Sequence, residues 1–294
     1  MGGGSWTRAS YNAYTTSSRG ISLNDFENNT YNTREIYKAN YLDDALNPYK
    51  VIRACHDNDE HPNTLPVIFA LDVTGSMGGA AMKVRQKLNS IMTELYANDK
   101  IRDIEFCCMA IGDLYWDKTP IQITQFESDV RIAEQLDKVF FEAGGGGNKC
   151  ESYSAAWYMG ARHCDLDAWK RGKKGIIITL GDECPDEKLP KDALNSITGD
   201  HNQADISATE IYKEAKEKYN IYHISVDDPE SSYHYHQMYD IDAKWKNRVG
   251  ENNYFVANLD SLPGVIVNII INAVEENEEI LTNTTNFTQQ EISW

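Results

Sequence analysis

An apolar run that ends in a series of oxygen-bearing side chains places the strongest constraint on this chain. Residues 65–71 are apolar, and Asp72, Thr74 and Ser76 follow at alternate positions before two glycines. This order predicts a buried strand that opens into a loop of hard oxygen ligands. Carboxylate and hydroxyl oxygens suit Mg²⁺, Mn²⁺ or Ca²⁺ rather than zinc or copper. Because α/β sheets hold their sites at the carboxyl ends of strands, we expect a divalent metal at this edge.

The alternation of strand and helix patterns that begins here predicts the fold class. Strands are predicted at 66–72, 104–111, 175–181, 221–226 and 253–258, with a weaker edge strand at 121–126. Helices are predicted at 78–97, 129–141, 151–164, 205–219, 235–248 and 262–279. Buried strands that alternate with amphipathic helices are typical of a parallel sheet covered on both faces. The expected fold is therefore a doubly wound, Rossmann-like α/β domain with a mostly parallel six-stranded sheet.

Composition divides the chain into three parts. Residues 1–62 are rich in Asn, Tyr, Ser, Thr and Gly and predict a polar amino-terminal arm, ordered only by packing on something else. Within it we expect a short helical stretch near 42–46 and an extended piece near 51–54. Residues 63–280 form the α/β domain, and residues 281–294 form a polar carboxyl-terminal tail. Arm and tail leave open a homo- or hetero-oligomer in which they contact neighbouring subunits.

Charge and cysteine usage limit the expected partners and location. The chain has 45 acidic and 28 basic residues, a net charge of -17, and no evident basic patch. Such a chain repels nucleic-acid backbones and anionic membrane surfaces, so neither is an expected partner. The six cysteines include no CxxC pair and are expected to be reduced thiols. With no signal-like amino terminus and no membrane-length apolar run, a cytoplasmic or other intracellular protein is expected.

Two further loops supply candidate ligands for the metal. The strand at 175–181 is followed by Asp182, and if this strand neighbours the first, Asp182 and Asp72 converge on one ion. A glycine run at 144–147 lets the backbone come close to a ligand, and the adjacent Asn148 offers an amide oxygen. This run is the expected third loop of the site. Asp113, after the second strand, is a candidate for the outer shell.

These motifs resemble a known family. The run ALDVTGSMGG at 70–79 resembles the metal-ion-dependent adhesion site of von Willebrand factor A (VWA) domains, whose first loop reads Asp-x-Ser/Thr-x-Ser. The resemblance extends over roughly residues 65–280 and includes a Phe-x-Ser-Asp-Val segment at 126–130. It also includes Asp113 and a glycine run followed by a polar residue and Glu151. In integrin-like members the middle loop supplies a Thr to the metal, and here Asn148 takes that position.

The resemblance implies a mechanism of binding. In such domains the hydroxyls corresponding to Thr74 and Ser76 ligate the ion, whereas the acids corresponding to Asp72 and Asp182 act close by, often through water. One coordination position stays open and accepts a Glu or Asp side chain of a partner protein. Glu151, like Asp113, is a candidate for the outer shell. The expected function is therefore a metal-dependent protein-interaction module and not an enzyme.

Two other functions are open alternatives. In the first alternative, the chain is a structural subunit of an assembly, and its arm and tail make the main contacts with neighbouring subunits. A Mg²⁺-dependent hydrolase is less favoured, because the glycine run lacks the Walker pattern and follows a predicted helix.

The site residues also have ordinary structural interpretations. Thr74 or Ser76 would cap the helix that follows, and Asn148 would be a turn residue. Glu151 would be an acid at a helix start, the interpretation we favour for it, and Asp113 would belong to a solvated loop.

Overall fold

The computed structural model describes residues 5–29, 31, 35, 37–98, 101, 103–142, 150–226 and 239–275, and the structural statements below concern these residues. Three predicted features lie outside them: the glycine run at 144–147, Asn148, and the tail at 281–294.

Six strands form the central sheet. They are β1 (Leu65–Asp72), β2 (Ile104–Ile111), β3 (Ile121–Ile123), β4 (Gly175–Gly181), β5 (Tyr219–Val226) and β6 (Tyr254–Ala257). Their spatial order is β6-β5-β4-β1-β2-β3, with β3 antiparallel to β2 and every other neighbouring pair parallel. The strand order reverses between β1 and β4, which in doubly wound sheets opens a crevice at the carboxyl ends of those two strands. The predicted mostly parallel, six-stranded α/β fold is confirmed.

Helices cover both faces of the sheet. In the amino-terminal arm they are α1 (Arg8–Arg19) and α2 (Leu23–Asn28). In the domain they are α3 (Gly78–Ala97), α4 (Arg131–Leu136), α5 (Ser154–Arg162), α6 (Asp167–Lys170), α7 (Lys191–Thr198), α8 (Ala208–Lys218), α9 (Ile241–Val249) and α10 (262–275). Single 3-10 turns lie at Asp44–Leu46, Gly75–Met77 and Glu251–Asn253. None of the described helices combines the length and apolar character needed to cross a bilayer.

The hydrophobic core consists of two clusters, one on each face of the sheet, and β1 contributes side chains to both. Adjacent residues of a strand point to opposite faces, so Phe69 packs with α3, α10 and the arm, while Ile68 packs with α5, α8 and α9. Both side chains are almost fully buried. A strand buried on both faces explains why the sequence at 65–71 is continuously apolar rather than alternating.

Three short strand pairs tie loops together outside the central sheet. Arg53–Cys55 pairs in parallel with Cys164–Leu166, and Cys150–Glu151 pairs in parallel with Cys184–Pro185. Lys188–Leu189 pairs antiparallel with Ile206–Ser207. The first pair contains the extended piece predicted near 51–54. The second pair joins the segment before α5 to the segment after β4.

The amino-terminal arm contains more helix than its sequence predicts. Only a stretch near 42–46 is expected from the sequence, and that stretch is the 3-10 turn Asp44–Leu46, but α1 and α2 precede it. Thr7 and Ser22 cap these two helices by accepting the backbone N–H three residues ahead. The Ser and Thr residues of α1 are poor helix formers, and α2 has only six residues, so both helices depend on packing. Their buried side chains, among them Tyr11 and Phe26, pack into the core beside α3. The arm therefore covers its own domain.

A buried ion network fixes this contact, and we call Tyr14, Arg19, Arg85 and Asp137 the arm network. Arg85 of α3 is fully buried, and its Nη2 donates to Asp137 Oδ1 at 2.5 Å and to the Ala133 carbonyl at 2.8 Å. Arg19 pairs with the same carboxylate, and the Tyr14 hydroxyl donates to its other oxygen. Burial lowers the pKa of Arg85, but the Asp137 carboxylate, with smaller contributions from Tyr11 and Tyr37, raises that pKa overall.

Candidate metal centre

The carboxylate of Asp72, the last residue of β1, is fully buried and accepts three hydrogen bonds. Its Oδ1 accepts from the Thr74 N–H at 2.8 Å and the Thr74 hydroxyl at 2.6 Å. Its Oδ2 accepts from the Tyr153 hydroxyl at 2.7 Å. Burial, and next the charge of Asp182, nevertheless raise the pKa of Asp72 from 3.8 to about 7. A nearby cation would lower this pKa, because it stabilises the ionised form.

The loop after β1 does not make the ordinary capping contacts. Thr74 is the residue before the 3-10 turn Gly75–Met77, yet its side chain makes no capping hydrogen bond to that turn. Met77 precedes α3 and also provides no side-chain cap. The Thr74 hydroxyl donates to Asp72 instead, and the exposed Ser76 Oγ donates to Asp182 Oδ1 at 3.0 Å. The capping interpretation of Thr74 and Ser76 is therefore wrong.

Asp182 reaches this loop from the neighbouring strand. Leu71 of β1 lies opposite Leu180 of β4, so the two strands end side by side and their next residues meet at the strand-order reversal. Asp182 is half-buried there. The structure thus brings together Asp72, Thr74, Ser76 and Asp182, as the spacing of the sequence predicts. Asn148 lies outside the described residues.

The turn after β2 is buried and ordered by its own hydrogen bonds. Asp113 is fully buried, and its Oδ1 accepts the Tyr115 N–H at 2.8 Å. The Asp113 N–H donates to Asp117 Oδ2, also at 2.8 Å. A solvated loop is therefore the wrong description of Asp113. Burial raises the pKa of Asp117, so this turn brings acidic groups into a desolvated setting.

Glu151 is a buried acid with an unpartnered side-chain oxygen. Glu151 is only 4% exposed, and its Oε2 has no hydrogen-bond partner among the described residues. Burial first, and then the charges of four neighbouring acids, raise the pKa of Glu151 to about 10. These acids are, in decreasing order of effect, Asp72, Asp113, Asp117 and Glu183. A buried carboxyl among acids lacks the compensating charge that buried ionised groups normally have.

The favoured interpretation of Glu151 as a helix-start acid is wrong. Glu151 lies in the short strand Cys150–Glu151, and α5 begins later, at Ser154. The carboxylate that caps the start of α5 belongs to Asp186, from another part of the chain. It accepts hydrogen bonds from the Ser154 N–H at 2.9 Å and from the Ser154 hydroxyl. Burial raises the pKa of Asp186 to about 6. The side chain of Glu151 therefore does not cap α5.

Sequence reasoning misses Tyr153, which positions Asp72. The buried Tyr153 hydroxyl donates to Asp72 and accepts the Glu183 N–H at 3.3 Å. A Cβ at Gly181 would overlap this hydroxyl, so the last residue of β4 has to be glycine for the phenol to reach Asp72. In the sequence, Tyr153 is indistinguishable from the other apolar and aromatic residues at the start of a buried helix.

The donor set fits a hard divalent cation. Among the described residues, no three His, Cys, Asp or Glu side chains come together as a group that could hold a metal. The set consists instead of two hydroxyls and two carboxylates, which are the oxygen donors that Mg²⁺, Mn²⁺ and Ca²⁺ prefer. The unpartnered Oε2 of Glu151 adds a buried carboxyl whose ionised form a nearby cation would favour.

Comparison with known proteins finds similarity at the level of structure. No family model matches the sequence, and no curated protein matches it. Among solved structures, the pilus adhesin SpaC from Lactobacillus rhamnosus GG, in its open conformation, is similar with a TM-score of 0.53 at 14% identity. That match covers 75% of this chain and 31% of the adhesin. A second structure of SpaC gives a TM-score of 0.52 at 12% identity, covering 75% of this chain and 32% of that one.

The vWF domain of the type V pili tip protein Mfa5 from Porphyromonas gingivalis also matches, with a TM-score of 0.47 at 11% identity. That match covers 73% of this chain and 96% of the Mfa5 domain. At these identities the likeness to SpaC concerns the fold alone. This chain spans about a third of the length of the SpaC chains.

Proposed function

We propose that this chain is a protein-interaction module that binds a partner carboxylate through a divalent cation, Mg²⁺ or else Mn²⁺ or Ca²⁺. The observation that carries the proposal is the 3.0 Å hydrogen bond between Ser76 Oγ and Asp182 Oδ1. It joins the loops after β1 and β4 at the strand-order reversal, beside the buried Asp72. Side chains that are 106 positions apart in sequence thereby form one oxygen-rich cluster.

In this proposal the protein residues divide into two groups. The hydroxyls of Thr74 and Ser76 hold the ion, and the carboxylates of Asp72 and Asp182 balance its charge. When bound, the ion supplies an electron-poor position that accepts a carboxylate from a partner. Tyr153 keeps the Asp72 carboxylate oriented by donating to Oδ2. Asn148 is proposed as a further ligand, and Asp113 and Glu151 as the outer shell.

The rim of the site offers contact area for a partner. Tyr115 and Trp116 follow the buried Asp113 on the turn after β2, and they are 51% and 66% exposed. Tyrosine and tryptophan are enriched in protein interfaces, where they add apolar area around a polar centre. Large aromatic side chains next to an acidic centre therefore favour a protein partner over a small ion alone.

The comparison with SpaC is compatible with this proposal. SpaC is described as a pilus adhesin, and attachment through protein contacts is the kind of function proposed here. Because the likeness covers about a third of that protein, the proposal for this chain rests on its own residues. We further propose binding without catalytic turnover and an intracellular setting, as the sequence leads us to expect.

A structural subunit is the second candidate. It requires the arm or the tail to contact neighbouring subunits, but the arm helices pack on their own domain through Tyr11, Phe26 and the arm network. This packing favours the metal-dependent module. A monomer at micromolar concentration in ultracentrifugation would agree with that choice.

Calorimetric titration with Mg²⁺ and Mn²⁺ tests the proposed function. We expect wild-type protein to bind a single ion, and Ser76→Ala to weaken binding because it removes an oxygen ligand. The matched control is Ser18→Ala, which removes an exposed serine hydroxyl in α1 far from the site in sequence. Wild-type affinity in Ser76→Ala, or no heat of binding in the wild-type protein, would contradict the proposal.

A further inference from the structure

We infer that Cys150 and Cys184 form a thiol–disulfide modification site at the edge of the candidate metal centre. All six cysteines are free thiols. Cys150 and Cys184 differ from the other four because they face each other directly: they are register partners in the parallel pair Cys150–Glu151 with Cys184–Pro185. In the sequence, α5, α6 and β4 lie between them, and nothing in it indicates this contact.

The spacing of the two residues suits a disulfide. Paired strands lie about 4.8 Å apart, and the Cα atoms of bonded cysteines usually lie about 4.4–6.8 Å apart. The two side chains also point toward each other, because the Cys150 thiol is hydrogen-bonded to the sulfur of Cys184. The register therefore places the two sulfurs next to each other.

The surroundings give the pair access to an oxidant. Cys150 is partly exposed, whereas Cys184 is 2% exposed and contacts Lys244, whose Nζ lies 3.4 Å from the sulfur. The other four cysteines, Cys55, Cys107, Cys108 and Cys164, are all buried. An oxidant in solution thus meets Cys150 first, and Cys184 is the neighbouring thiol that resolves the product.

The reaction with a small disulfide such as oxidised glutathione balances. The Cys150 sulfur, as thiolate, attacks one sulfur of glutathione disulfide, breaks its S–S bond and releases one glutathione thiolate. The Cys184 sulfur then attacks Cys150, forms the protein disulfide and releases the second glutathione. The pair loses two electrons to glutathione disulfide, and both thiol protons end on the released glutathione molecules. The hydrogen bond to Cys184, and next burial, raise the pKa of Cys150, so oxidation is slow and is best followed at equilibrium.

The position of the pair gives the modification a consequence for the site. Cys150 is bonded in sequence to Glu151, and Cys184 lies two residues after Asp182. A disulfide would fix the segment that carries Glu151 against the segment that carries Asp182. This consequence rests on the proposed function: by reducing the freedom of two site segments, oxidation is expected to tighten Mg²⁺ binding by about fivefold, the lower end of typical couplings between sites.

The 294-residue chain is equilibrated with glutathione and glutathione disulfide at several ratios, free thiols are alkylated, and the products are identified by mass spectrometry. We expect a species that has lost two hydrogen atoms, and a cross-link between tryptic peptides 150–162 and 175–188. Glutathione bound to protein without a cross-link, a cross-link to any other cysteine, or no oxidation at the most oxidising ratio would each overturn the inference.

Variants and a titration separate this inference from the proposed function. Cys150→Ser and Cys184→Ser are each expected to abolish the cross-link, whereas the matched control Cys164→Ser keeps it. Because the wild-type peptide map decides the inference by itself, a variant that fails to fold does not affect the result. Mg²⁺ titration of the reduced and oxidised wild-type protein completes the test. A cross-link without metal binding contradicts the proposed function alone, and metal binding without a cross-link contradicts this inference alone.

Discussion

The arm network and the candidate metal centre are both buried clusters of charge next to α3, and they differ in how that charge is balanced. In the arm network, Asp137 is paired with Arg85 and Arg19, so opposite charges meet at short range. At the candidate metal centre, the charges that act most on Glu151 are those of other acids. A buried charge that is paired with an opposite charge of the same protein indicates a structural role. Acids without that balance, in a crevice, indicate a site that is completed by a ligand.

Removing the shared carboxylate of the arm network should have the largest effect. Asp137→Ala leaves the fully buried Arg85 without its ion pair, and we expect a loss of about 3–5 kcal/mol in the free energy of unfolding. Urea unfolding followed by tryptophan fluorescence measures this loss. The matched control is Asp260→Ala, since Asp260 pairs with Lys83 at 2.7 Å but its side chain is 92% exposed. Equal losses in the two variants would show that the arm network is not structural.

At the candidate metal centre, removing an acidic charge should raise the free energy of unfolding instead of lowering it. Asp72→Asn removes a buried charge near Asp182, so the metal-free protein should become more stable at about pH 8. Mg²⁺ affinity should fall by at least about 100-fold, the upper end of the losses seen for partners of metal ligands. Thermal unfolding and calorimetry measure the two quantities. Asp192→Asn, at a side chain 88% exposed, should change neither. Destabilisation of the metal-free protein by Asp72→Asn would remove the contrast between the two clusters.

Tyr153→Phe tests the positioning of Asp72 without changing any charge. The variant removes the hydroxyl that donates to Asp72 Oδ2, and we expect Mg²⁺ affinity to fall by about 10–100-fold. The control is Tyr212→Phe, which removes a hydroxyl that donates to the Val249 carbonyl at 3.2 Å in another part of the domain. If both variants bind Mg²⁺ equally well, Tyr153 has only a packing role.

The smallest expected effect is the pH dependence of metal binding. The pKa of Asp72 is raised from 3.8 to about 7 in the folded chain, so the folded state holds this proton more tightly than the unfolded state. Its contribution to the stability of the metal-free protein is therefore present below pH 3.8 and is lost as pH rises through about 7. Because Mg²⁺ competes with this proton, its affinity should be about tenfold weaker at about pH 6 than at about pH 8. Calorimetry in Asp72→Asn should show no such difference; if it does, another group is responsible.

The sequence predicts the central elements well because their patterns are unambiguous. The predicted strands at 104–111 and 175–181 and the predicted helix at 78–97 match β2, β4 and α3. The edge strand is shorter than predicted, ending at Ile123. The next residue, Thr124, uses its hydroxyl to accept the Cys108 N–H at 2.8 Å, in place of a backbone carbonyl. A side chain that substitutes for backbone pairing is not visible in a hydrophobic pattern.

Some residues of the candidate site are likewise predictable from the sequence, and others are not. Asp72, Thr74, Ser76 and Asp182 are predictable because parallel strands bring their carboxyl ends to one edge. Tyr153 and Asp186 are not, since their roles depend on which loops touch after the sheet has formed. The arm helices are missed for a related reason: their stability comes from packing on α3, because α1 is rich in Ser and Thr and α2 is only six residues long.

The burial of α3 on both sides has a mechanical consequence. The sheet holds one side of this helix. On the other side, Arg85 is anchored by the arm network, and Trp6 Nε1 donates to Asn89 Oδ1 at 3.3 Å. The first turn of α3 directly follows the loop that carries Ser76. A force applied to the arm would therefore act on α3 through Trp6 and the arm network, at the helix that directly follows the Ser76 loop.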